Sequence, residues 1–305
     1  MSRRNEFGRL GNVAVRWMFA PDASSGLRLE AFRWATTLTL LIYTLTWAMD
    51  ASEWLTAASY HISPEVSRGL QWPVPLLPAW ALPVFLVVYL GSMVAILLRV
   101  RPRLFSVFVF VGLAYVTAAD RLAAFSMNKI ALVAWAVLLL APWIPAEGPR
   151  EPASEGSEED EGEAPAEPRL GSQWPVRILQ GTVMLQYVGA GLCKLQGDWD
   201  ESSRVLWYQA QGIYMTDLAA WMVRTFPVEL WSVLQHLALA FELGAPLLFG
   251  VRRLRPVAYV WGLGMHLAIG LLMHRVGLFS MSVVAYYVLF LDEDWLRALR
   301  RRGIF

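Results

Sequence analysis

Apolar positions in this chain fall in long unbroken runs rather than in strict alternation. Eight such runs stand at about 29–49, 78–98, 104–119, 129–145, 175–194, 229–250, 256–274 and 277–291. About 20 helical residues cross the roughly 30 Å hydrocarbon core of a bilayer. A helix satisfies its own backbone there, whereas a lone strand does not. The pattern therefore predicts an all-α polytopic membrane bundle of about eight transmembrane helices, with the third and eighth runs short.

The polar stretches between the runs suggest an orientation. With the N-terminus inside, 18 of the 26 basic residues fall in inside segments, seven fall outside, and Arg33 lies within the first run. Cytoplasmic segments carry the excess of Lys and Arg, so both termini are expected in the cytoplasm. The chain then divides into a basic N-terminus (1–28), a four-span half (29–145), a linker (146–174), a second four-span half (175–291) and a short cytoplasmic tail (292–305). Glu147 through Glu167 hold nine of the 25 acidic residues, among Pro, Ala, Ser and Gly. Such a segment lacks the apolar area to fold and reads as a disordered tether.

Two outer loops are long. Residues 50–77 contain the helix-start signal Ser63-Pro64-Glu65. Residues 195–228 interleave Trp199, Trp207 and Trp221 with Asp198, Asp200, Glu201 and Asp217. Aromatic and polar residues mixed in this way settle at the membrane interface, which predicts one or two short interfacial helices forming a lid on the outer face.

Composition agrees with the pattern. Of 305 residues, 56% are hydrophobic, 17% are charged and 15 are Trp, and the mean hydropathy is +0.43. Soluble domains average about 25% charged. The arginines are spread over several loops rather than gathered in a basic face, which argues against nucleic acid as a partner; membrane lipids are the expected surroundings. The lone Cys193 excludes an intrachain disulfide. The first run is expected to act as the targeting signal, with no cleavage site after it.

Ionisable residues within the runs are few, and intramembrane charge points to function or to deliberate anchoring. Only two basic residues are lysines, Lys129 and Lys194. Both are expected near the outer side, Lys129 opening the fourth span beside Asn128 and Lys194 closing the fifth. An amine there is either a snorkelling anchor or a base made neutral by a second nearby cation and by desolvation. Glu242 lies mid-span in the sixth run and His266 mid-span in the seventh. Counted from the turn near Arg253, they sit at similar depth and within hydrogen-bonding reach, as a functional pair or as a polar clamp between helices. Gly262, His266, Gly270 and His274 recur every four residues and form one helix stripe. No ligand set with metal-site spacing emerges from the histidines, so no metal is expected. Cys193 points away from Lys194 and reads as packing.

At these residues the chain resembles the membrane portion of vitamin K-dependent gamma-carboxylase and the bacterial proteins that share its HTTM domain. The resemblance rests on Leu29-Glu-Ala-Phe-Arg33, Arg177-Ile-Leu-Gln180, Gly191-Leu-Cys-Lys-Leu-Gln-Gly-Asp-Trp199, Glu242-Leu-Gly-Ala-Pro246, Gly264-Met-His266 and Gly277-Leu-Phe279, in that order. It implies that Lys194 is the base that deprotonates a reduced vitamin K or menaquinol co-substrate, none of it covalently held. Oxygen then adds, the resulting alkoxide takes a γ-proton from a peptidyl glutamate, CO₂ is captured, and the quinone leaves as its epoxide. By the same resemblance Lys129 and Asn128 join the catalytic site, with Glu242, His266, Asp198 and Trp199 as supporting polar residues.

Two departures qualify the resemblance. Asn128-Lys129 stands where the carboxylases carry Asn-His. Only residues 292–305 follow the last run, where the carboxylases continue into a large extracytoplasmic domain. The expected enzyme is thus carboxylase-like, acting on a quinol-type or other lipid-soluble substrate with a polar or peptide substrate at the outer face. It predicts a closed pocket around Lys194, Lys129 and Asn128. The alternative is a non-catalytic membrane binding or scaffold protein, which predicts a lysine reaching for headgroups.

Overall fold

The structure is a computed structural model and describes residues 15–22, 24–57, 74–119, 126–142, 171–199 and 203–305. The acidic run Glu147–Glu167, the Ser63-Pro64-Glu65 signal, Asp200 and Glu201 lie outside the described residues.

A helix stands at each of the eight apolar runs. These are α1 (Ser25–Trp47), α2 (Ala81–Leu97), α3 (Pro102–Ala119), α4 (Ser126–Leu140) and α5 (Trp174–Leu195), then, after two short helices α6 (Val205–Ala210) and α7 (Asp217–Thr225), α8 (Val228–Gly250), α9 (Arg255–Leu272) and α10 (Val276–Ala285). α10 tightens into a 3-10 turn, Tyr286–Phe290, and α11 (Glu293–Arg301) closes the chain. Among the described residues the protein is helical apart from one two-residue ladder and two isolated bridges, Thr56 with Leu77 and Met215 with Met273.

Among the described residues, two helices are long and apolar enough to cross a membrane, α3 and α8, or three if α10 with its 3-10 extension and α11 form one span bent by 111°. α2 and Met127–Leu140 are apolar but shorter. The remaining runs are diluted by polar side chains. α1 carries Arg28, Glu30 and Arg33 near its start, α5 carries Arg177, Gln180 and Lys194, and α9 carries Arg255 and His266. Much of that polarity faces protein, and Gln180 and His266 are both buried. Outward faces are apolar, with Val87, Leu185 and Val260 between 72% and 77% exposed.

α1 is the hub. It packs on α2, α10 and the 3-10 turn, and it also meets α4, α5 and α11. One core runs through the helices, built around the fully buried Phe32, Leu40, Trp135, Phe241 and Phe249.

The entries to α1 and α5 are tied together. Pro21–Asp22 pairs antiparallel with Gly171–Ser172, and the Gln173 amide donates to the Ala20 carbonyl at 3.1 Å. Nearby, the 3-10 turn exposes carbonyls that a continuing α-helix would have used. Arg28 Nη1 and Gln180 Nε2 both donate to the Leu289 carbonyl, at 3.1 and 2.9 Å, and Arg255 Nη1 donates to that of Phe290 at 3.0 Å. α11 opens with Glu293 and Asp294 and ends with Arg300 and Arg301, the charge order a helix dipole favours.

Between 195 and 228, part of the outer loops where one or two short helices are expected, stand α6 and α7. Thr216 caps α7, its hydroxyl accepting from the Ala219 amide at 3.1 Å and donating to the Leu271 carbonyl at 2.8 Å. Ala210, Ala219, Trp231 and Leu272 form a small separate core that holds both helices on the ends of α8 and α9.

Candidate functional site

Tyr187, Gly191 and Lys194 are spaced four and three residues apart and so line one face of α5. That face meets α8. A Cβ added at Gly191 would stand 2.7 Å from Leu243 Cδ2 and 3.4 Å from Glu242 Cβ, so glycine sets how closely the two helices approach. The approach brings Lys194, one turn further on, into an ion pair with Glu242. Lys194 Nζ also lies 4.5 Å from the centre of the Trp199 ring, a cation–π contact. Trp199 is itself held. Gln235, fully buried on α8, donates through Nε2 to the Trp199 carbonyl at 2.5 Å and accepts from the Leu206 amide at 2.9 Å.

Two turns deeper on the same face, the Tyr187 hydroxyl is 2.7 Å from His266 Nε2 and 2.7 Å from the Tyr287 hydroxyl. Tyr259 donates to the Tyr287 carbonyl at 3.2 Å. Gly262, one turn before His266, makes room for this cluster, since a Cβ there would come within 2.7 Å of Phe241 Cζ and would overlap the Tyr287 hydroxyl. Two buried atoms at the site have no hydrogen-bond partner among the described residues, Glu242 Oε2 and His266 Nδ1. A proton at Tyr187 can be shared in either direction, so the hydroxyl links an imidazole to a phenol without carrying a net charge.

This lysine–carboxylate pair and its tyrosine–histidine neighbour lie in a segment that a known family describes. The family model for the HTTM domain matches residues 66–295. The chain belongs to the HTTM domain family. Five of the residues just described, Tyr187, Lys194, Glu242, His266 and Tyr287, fall inside the matched HTTM segment, whereas all of α1 precedes it. No curated protein matches the chain, and no solved structure does.

The other residues singled out in the sequence are distributed around the HTTM domain. Asn128 is fully buried and faces the Tyr43 hydroxyl of α1. Lys129, its neighbour, is exposed. Asp198 is exposed beside Trp199. Glu242 and His266 are both buried but do not bond each other, because Glu242 faces Lys194 and His266 faces Tyr187. His236 turns away to the Ser232 carbonyl at 2.8 Å, and Cys193 is exposed. Among the described residues, no group of three His, Cys, Asp or Glu side chains is gathered as metal ligands.

Two clefts among the described residues are not lined by Lys194, Lys129 or Asn128. One lies at the far end of α1. The other is a small gap between α1, α4 and α10. Tyr187, Tyr287 and Gln235 belong to the site without having been identified from sequence. Tyr187 carried a signal, seven residues before Lys194 on one helical stripe. Gln235 and Tyr287 carried none, since one buried amide or phenol in an apolar run resembles any other.

Proposed function

We propose that this HTTM-domain protein is a membrane-embedded enzyme resembling vitamin K-dependent gamma-carboxylase, in which Lys194 takes the hydroxyl proton of a lipid-soluble quinol, with oxygen and CO₂ as further substrates. The observation that carries the reading is the direction of Lys194. Its ammonium turns inward to Glu242 rather than outward, as an anchoring lysine does.

The pair supplies what a base needs. When Lys194 passes a proton to Glu242, a neutral amine remains beside a neutral acid, and neither is penalised by desolvation. A quinol hydroxyl then gives its proton to the amine. The ammonium that re-forms sits against the quinolate oxygen, with Trp199 still beneath it. Asn128 and Lys129, at the start of α4, complete this site in the proposal. A polar or peptide substrate would enter under the α6–α7 lid.

This reading takes all eight helices as spans, with both termini in the cytoplasm and the lid outside, and with the four-span halves joined by the acidic tether. Its support is the separation of charge along α5. Arg177 and Lys194 are 17 residues apart, roughly 25 Å along a helix, which is close to the thickness of a bilayer core.

A second reading, a non-catalytic binding or scaffold protein, is favoured by one observation, that neither main cleft reaches Lys194. Quinone epoxide formation separates the two. Purified protein is given reduced vitamin K or menaquinol and oxygen, with a Lys194→Ala variant of matched elution profile alongside. Epoxide from the wild type and none from the variant is the expected result. No epoxide from folded wild type across several quinols overturns the enzyme reading.

A further inference from the structure

α8 carries a second buried polar side chain on the stripe that presents Glu242. Trp231, Gln235 and Glu242 follow one another at intervals of four and seven residues and so share a face. All three are buried, Trp231 and Gln235 fully so. Trp231 packs with Ala210 and Ala219 of the lid, and Glu242 meets Lys194. Gln235 lies between them. A buried amide is costly unless its ends are bonded, and here each end holds a different segment. Nε2 donates to the carbonyl of Trp199, just past the end of α5, and Oε1 accepts from the Leu206 amide in the first turn of α6. That amide has no partner inside its own helix, and Arg204 at the head of α6 gives no side-chain cap.

The two edges of the lid are fastened differently. At α9 the main chain dominates. Met215 pairs with Met273, and the His274 amide donates to the Tyr214 carbonyl at 2.6 Å. At α8 the lid is joined through a side chain that also grips Trp199. Fixing the Trp199 carbonyl fixes the backbone from which the indole reaches Lys194 Nζ, 4.5 Å from the ring centre.

We infer that Gln235 is the positioning residue of the Lys194 site. It holds the Trp199 ring against the ammonium and joins that ring to the start of α6, so that indole and lid move together. Gln235 touches no reacting atom in this role. Its part in turnover rests on the base function proposed for Lys194, whereas its hold on the exposure of that lysine does not.

Lys129 and Lys194 are the chain's two lysines, so acetylation of lysine side chains is a two-site measurement. Full-length protein in detergent is treated with N-hydroxysulfosuccinimide acetate, and both sites are followed by peptide mass spectrometry, with the exposed Lys129 as reference. Gln235→Met keeps the size of the side chain and removes both bonds. It is expected to raise the Lys194 to Lys129 labelling ratio about fivefold, the shift that loss of an ordinary hydrogen bond gives. Trp199→Ala is expected to raise it at least as far. Gln235→Met added to Trp199→Ala is expected to raise it no further, because Gln235 acts through the ring. Gln235→Asn, one methylene shorter, replaces Gln235→Met if that variant elutes as aggregate. With a quinol, the Gln235 variant is expected to lower kcat about tenfold, as misplacement of a catalytic group does, with KM unchanged. Wild type that forms no epoxide overturns the base function, and the labelling cycle then decides the role of Gln235 by itself. A wild-type ratio in a folded Gln235 variant overturns the inference, as does a double variant in which the two single effects multiply. So does an unchanged kcat beside a raised ratio.

Discussion

Arg28 and Lys194 each lie within about a turn of the end of a long helix, yet the two cations do different things. Arg28 donates to the Leu289 carbonyl and, through Nε, to the Ser24 hydroxyl at 3.1 Å. Arg177 and Arg255 at the same end likewise donate to uncharged oxygens, Gln173 Oε1 at 2.9 Å and the Phe290 carbonyl at 3.0 Å, and Arg255 also lies 4.0 Å from the Asp292 carboxylate. At the other end Lys194 meets one carboxylate and one indole. Guanidinium keeps its charge and offers five donors in a plane, which suits carbonyls left over at helix ends. An ammonium offers three donors and gives up a proton when it is desolvated. One end of the bundle is stitched by guanidinium groups bonded to leftover carbonyls, and the other holds an ammonium between a carboxylate and an indole ring.

The contrast breaks most visibly at the ion pair. Lys194→Met leaves Glu242 alone on a buried face and is expected to cost about 3 kcal/mol of stability, read as a lowered thermal midpoint in detergent. Turnover is expected to fall by 10² to 10⁴, the usual contribution of a general base. Adding Glu242→Leu removes the stranded carboxylate, so most of the stability returns while turnover stays at the lowered level. Should the double variant regain turnover, Lys194 is not the base and the two ends differ only in structure.

Tyr187→Phe probes the layer beneath. The change keeps the ring, its 5.3 Å edge contact with Phe241 and its burial, but it strips His266 Nε2 and the Tyr287 hydroxyl of their shared partner. About 2 kcal/mol of destabilisation is expected, with turnover reduced less than tenfold, because the ion pair itself is untouched. A loss near that of Lys194→Met would extend the proton site from Lys194 through Tyr187 to His266.

The helices and the individual polar residues were legible in the sequence, but their partners were not. Continuous apolar runs marked every long helix, and Lys194, Glu242 and His266 stood out because ionisable residues are rare in such runs. Depth along the hairpin placed Glu242 level with His266, as a possible bonding pair. Depth says nothing of rotation about the helix axis, and the rotation turns Glu242 toward α5, where Gly191 admits it. The same angular argument separates Asn128 from Lys129, since neighbours on a helix point about 100° apart. The count of spans was blurred by the polar residues that α1, α5 and α9 turn inward. The ladder between Pro21–Asp22 and Gly171–Ser172 left no trace, because two residues have no periodicity.

The smallest expected effect lies at the arginine end. Arg28→Gln removes one of two donors to the Leu289 carbonyl, and Gln180 Nε2 still holds that oxygen at 2.9 Å. The carbonyl therefore keeps a partner, and the loss is expected near 1 kcal/mol, that of an ordinary hydrogen bond, with turnover unchanged. Gln180→Leu in the same background leaves the oxygen with neither donor at the junction of α1, α5 and the 3-10 turn. The combined loss is then expected to exceed the sum of the two single variants, as it does for partners of one group. Strict additivity in the thermal midpoints would mean that water replaces the missing donors, and that the 3-10 turn is not held by these side chains.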